Sequence, residues 1–171
     1  MNKSTKKLTK KSMTKSTKIS GDITQVCQDA EDAYSGGLQC AEAVVHAIRK
    51  NLAPQMPEAL VSAASGFSVG VGGGGCLCGA VSGGVLALGY FFGRTFPTTI
   101  TDPQSQKTIV LAHELQEAFK AKHSVLCCHV LTKGLEIDST EQRAYCAAFV
   151  GSAAAITAEI ITEIITEEGG K

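Results

Sequence analysis

The chain has 171 residues, 44% hydrophobic but only 5% aromatic and without tryptophan, which suits one domain with a core of small side chains. Its net charge of zero hides a split: residues 1–20 carry seven lysines and no acid, and the remainder carries nine cations against 16 carboxylates. An acidic body argues against nucleic acid as a partner of the folded domain, and a composition led by Ala and Gly argues against a β-sandwich.

Residues 1–20 are almost free of apolar side chains and are expected to form a disordered, Lys-rich tail, with residues 21–171 as the helical domain. No apolar run of the kind found in secretory leaders occurs in that tail, so the expected location is cytoplasmic. Seven cysteines without such a leader point to metal binding or redox chemistry rather than to a disulfide framework.

Asp22 is a good N-cap, and a first helix is expected from there to Gly36-Gly37, with Cys27 as a buried bystander. A second starts near Cys40, where Cys40, Val44 and Ile48 recur at a helical interval, and ends by Pro54. A third follows Pro57. Residues 59–93 hold no charge, a length that would suit a membrane span, but eleven glycines interrupt it. The stretch is instead expected to hold a glycine loop, Gly72 to Gly75, feeding a buried central helix from Cys78 to Phe92, with no membrane partner.

A further helix is expected over residues 104–122 with Ile109, Ala112, Leu115 and Phe119 on its buried stripe, then the short apolar HSVLCCHVL. The last helix, capped by Ser139 or Thr140, runs to Gly169 with Cys146, Val150, Ala153, Ile160 and Ile164 on one face. The expected fold is therefore all-α, a single-domain bundle of about five or six helices. No nucleophile–base motif, phosphate loop or dinucleotide fingerprint is present, which suits an electron carrier better than a substrate-turning enzyme.

Cys40, Cys78, Cys127 and Cys146 each fall on an element expected to be buried, several of them at helix starts, where free N–H groups favour the thiolate. The 37, 48 and 18 residues between them match neither a zinc ribbon nor the ferredoxin patterns. Metal binding, thiol–disulfide chemistry and inert burial all remain open on spacing alone. His46 and His113 are read as solvated or locally bonded, and a Rieske-type ligand role for His129 is disfavoured.

The segments GLQCAEAVVHA, GGGGCLCGAVSGGVLALG, HSVLCCHVL and RAYCAAFVGSAAA, in that order, resemble the redox-active family named for its C_GCAxxG_C_C pattern. They are similar too to the haem-free domain of split-Soret cytochrome c, in which four such cysteines hold a [2Fe–2S] cluster. The resemblance implies an iron–sulfur cofactor, of the [2Fe–2S] type, with Cys40, Cys78, Cys127 and Cys146 as ligands and Cys76 and Cys128 as extra thiols; the redox partner protein is unidentified. It also implies that Gly74, Gly75 and Gly79 sit against the cluster, their loop turning backbone N–H groups toward its sulfurs. Split-Soret cytochrome c is a dimer, and the small-residue helix faces here would allow a homodimer.

Overall fold

The computed structural model describes residues 22–169, so the Lys-rich tail lies outside the described residues. Asp22 caps α1 (Ile23–Ser35), its carboxylate accepting from the Thr24 N–H at 3.0 Å, and Gly36-Gly37 turns the chain out of it. Helix α2 (Cys40–Leu52) opens on a capping box in which Glu42 accepts from the Gln39 N–H at 2.8 Å. A short α3 (Ala59–Ala63), a 3₁₀ turn at Ser65–Phe67 and α4 (Ser68–Val71) lead into the glycine loop.

Helices α5 (Gly79–Phe92), α6 (Pro103–His123), α7 (Cys128–Leu131) and α8 (Thr140–Gly169) complete the chain, and no strand occurs among the described residues. The fold is the all-α bundle expected. Ser139 is the residue that caps α8, accepting from the Gln142 N–H at 3.1 Å. By length and composition α8 could cross a membrane, yet half of its most apolar window is buried inside the bundle, where α8 packs on α1, α2, α5 and α6.

Small residues set how closely the helices approach. A Cβ on Gly83 of α5 would stand 2.6 Å from the Ala41 carbonyl oxygen and 3.0 Å from its Cα, so α5 lies backbone to backbone on α2. The core around that seam is aliphatic: Val44, Val45, Ile48, Val81 and Leu88 are all fully buried. On α6 the buried stripe is Ser105, Leu111, Leu115 and Phe119; Leu115 and Phe119 hold to expectation, but Ile109 is half exposed. The reason is packing: α6 lies at the edge of the bundle, on α5 and α8, so its core stripe is narrow.

One buried carboxylate ties α1 to α2. Asp29 accepts from Lys50 at 2.9 Å, Asn51 at 2.8 Å and Gln25 at 3.0 Å. Burial works against its charge, but those hydrogen bonds outweigh it and hold the carboxyl below its usual range. Asp29→Ala is expected to cost about 1–2 kcal/mol at neutral pH by urea unfolding, since Lys50 and Asn51 retain solvent or other partners. A carboxyl depressed by folding stabilises above its unfolded value, about 3.9, and loses that contribution as the pH falls through the folded value. The gap between wild type and variant should therefore close in acid.

Candidate functional site: a four-thiol cavity beside a disulfide

Four helices deliver one thiol each to a single small cavity. Cys40 is the first residue of α2, Cys78 the N-cap of α5, Cys128 the first residue of α7, and Cys146 lies in the second turn of α8. Between them is a space of about 20 Å³, room for a single water-sized sphere, closed by Ala80, Leu131, Phe149 and Val150. Neither histidine nor carboxylate lines it.

Two features let the sulfurs meet. A Cβ on Gly79 would overlap the Cys40 sulfur and stand 2.9 Å from the Phe67 carbonyl oxygen, so only glycine leaves room for that thiol at the head of α5. The loop before α7 is then stitched to the glycine loop: the Cys78 N–H donates to the Leu126 carbonyl at 2.8 Å, and the His129 N–H to the Gly75 carbonyl at 3.0 Å. The His129 ring Nδ1 lies 2.9 Å from the same oxygen. These bonds fix α7 with Cys128 turned into the cavity.

Cys127, by contrast, does not line the cavity and forms a disulfide with Cys76, their Cα atoms 4.3 Å apart. Of the four ligands carried over from the family pattern, the cavity brings together Cys40, Cys78 and Cys146; its fourth thiol is Cys128. The difference follows from the stitched loop, which puts Cys128 at the cavity and Cys127 against Cys76. Gly74 and Gly75 are likewise absent from the cavity wall. The Gly74 N–H donates to the Val71 carbonyl at 3.2 Å, and Gly75 offers its carbonyl to His129. Cys27 stands apart, its thiol 3.7 Å from Glu31.

The setting penalises bare charge. Burial, then the neighbouring Cys40 and Cys128, push the Cys78 thiol up to about 12, although the Ala80 and Val81 N–H groups face its sulfur and pull the other way. Burial raises Cys146 and Cys128 as well, against the Tyr34 hydroxyl beside the first and the Thr132 hydroxyl beside the second. Tyr34 itself is driven upward by burial and by Cys146. Its ring lies under the Arg143 guanidinium at 5.0 Å, and Arg143 donates to the Tyr34 carbonyl at 3.0 Å.

Residues 38–160 match the sequence model of the family described as "Putative redox-active protein (C_GCAxxG_C_C)", most of the chain. The chain belongs to that family. No curated protein and no solved structure matches it. Within this C_GCAxxG_C_C protein, the GCAxxG-like segment is the turn from Cys78 into α5, where Gly79 clears the Cys40 sulfur. Tyr34, Thr132 and Arg143 were not singled out from sequence. Tyr34 and Arg143 sit 109 residues apart, and no local pattern links them.

Four sulfurs and no harder donor make a set suited to soft or borderline metals and to iron–sulfur clusters. Among the described residues, no three His, Cys, Asp or Glu side chains converge tightly enough to hold one metal ion.

Proposed function

We propose that this redox-active protein is an electron carrier or redox sensor whose cofactor is a Cys-ligated iron–sulfur cluster, [2Fe–2S] in type, held by Cys40, Cys78, Cys128 and Cys146. The observation that carries the reading is the convergence of four thiols, from four helices, on one apolar cavity. Buried thiols raised as far as Cys78 are poor nucleophiles. The same burial favours a group that brings its own positive charge, because the thiolates then neutralise it instead of repelling one another.

A cluster at this position would supply reversible one-electron transfer. The chain's own part is to hold and tune. Ala80 and Val81 N–H groups face the Cys78 sulfur, and the Tyr34 hydroxyl faces Cys146; donors of this kind stabilise negative sulfur and raise a reduction potential. Leu131, Phe149 and Val150 limit water at the sulfurs. We place the protein in the cytoplasm with a redox protein as its partner, on the strength of its thiol-rich sequence.

Anaerobic isolation followed by iron and acid-labile sulfide analysis tests the reading. The expected result is about two of each per chain with visible charge-transfer absorption. A colourless chain carrying stoichiometric zinc would replace it with a structural site.

A further inference from the structure

The geometry points to a second redox site in the same protein: the Cys76–Cys127 bridge is a thiol–disulfide exchange site for an external dithiol, entered at Cys76. It goes beyond the cluster reading and does not depend on it. The two bridge cysteines are not cavity thiols, and they differ in access: Cys76 is exposed, whereas Cys127 is half-buried. An exposed bridge is open to attack at its accessible sulfur. Approach to Cys76 is from the open side of the glycine loop, where nothing lies within 4 Å of a Cβ built on Gly73; the His129 side chain packs against Gly75 beside it.

The surroundings also suit repeated opening and closing. When the bridge opens, the Cys78–Leu126 and His129–Gly75 backbone bonds still join the two segments, as does the His129 ring. The separated thiols therefore stay neighbours, and closure is intramolecular, at high effective concentration. A bridge that was the sole tie between its segments would lack this property.

The chemistry balances with the dithiol as reductant. Its first thiolate attacks the Cys76 sulfur, forming a mixed disulfide and breaking the bond to Cys127, which leaves with the electron pair and takes a proton from water. The second thiolate of the dithiol then attacks its own sulfur in the mixed disulfide. That step releases Cys76 as a thiolate, which is protonated, and yields the cyclic or paired disulfide of the reductant. Two electrons and two protons have moved to the protein; a disulfide of the same class reverses the sequence.

The test uses the full-length folded protein. Dithiothreitol, reduced thioredoxin and the monothiol glutathione are each applied under native conditions, and newly freed thiols are alkylated and located by mass. Cys76 and Cys127 should become labelled together with either dithiol, glutathione acting about tenfold more slowly because it cannot resolve its own mixed disulfide. Opening by micromolar thioredoxin identifies the dithiol as protein-borne; opening by dithiothreitol alone identifies a small molecule. With glutathione disulfide as probe, Cys127→Ser should accumulate one adduct per chain at Cys76, and Cys76→Ser should react about tenfold more slowly at Cys127. A bridge that survives both dithiols until urea unfolds the chain is structural, and overturns the proposal; so does isolation with both cysteines already free and inert to glutathione disulfide. These readouts are thiol masses, so their failure leaves the iron analysis standing, and failure of the iron analysis leaves them standing.

Discussion

Cys128→Ser is expected to weaken iron retention by about 100-fold, while Cys127→Ser leaves iron and sulfide per chain unchanged. The family pattern read along the sequence gives the opposite ranking, since it sets the third ligand at Cys127. The difference rests on orientation. Cys128 lines the cavity with Cys40, Cys78 and Cys146, whereas Cys127 is bonded to Cys76 and does not. Serine keeps the size of the side chain but offers iron a harder, far less acidic donor. Iron and labile sulfide measured on both variants, isolated side by side without oxygen, decide the matter. Equal loss from both would mean that the loop re-registers when loaded; loss from Cys127→Ser alone would return the ligand to Cys127.

Gly83→Ala is expected to destabilise the fold by about 3 kcal/mol, a fall of roughly 10 °C in Tm. The added Cβ would meet the Ala41 carbonyl oxygen at 2.6 Å, its Cα at 3.0 Å and its carbonyl carbon at 3.1 Å. All three are backbone atoms of α2, so no side chain can rotate away, and the helices must part. Ala41 follows Cys40 directly, so the same displacement reaches the site and should lower cluster loading as well. Gly89→Ala on the same helix is the control. Nothing lies within 4 Å of its Cβ, and the gain in helix propensity should stabilise by about 0.5–1 kcal/mol. Thermal melting of the pair separates the two effects, and a Gly83→Ala protein that melts with the wild type would deny the close seam between α2 and α5.

Much of the bundle was legible because its boundaries are written locally. Asp22 with Gly36-Gly37 frames α1, and the Ser139 cap starts α8; each signal acts within a few residues of the end it marks. Three of the four cavity thiols were legible for the same reason, since Cys40, Cys78 and Cys146 belong to helices long enough to show a buried stripe. Cys128 was not. It enters a helix of only four residues from an irregular loop, where no periodicity distinguishes two adjacent cysteines. What chooses between them is tertiary, the stitch from Cys78 and Gly75 to residues 126–129.

The glycine loop bonds largely within itself. Glycine runs do bring N–H groups close to anions elsewhere. Here Gly72 and Gly74 bond back to Ser68 and Val71, and Gly70, at φ +68°, packs 2.7 Å from the Cys76 nitrogen when a Cβ is built on it. Local folding-back consumed donors that the sequence offered to a ligand. On α6, Ile109 satisfies a helical interval but lies on the wrong side of a helix with few neighbours.

The central claim is that the sulfurs of Cys40, Cys78, Cys128 and Cys146 bind iron together. Iron-edge X-ray absorption on the anaerobically isolated protein tests it most directly. The account predicts an all-sulfur first shell with a second iron as neighbour, and loss of that signal in Cys128→Ser. A first shell of nitrogen or oxygen, or an all-sulfur shell unchanged in Cys128→Ser, would contradict it.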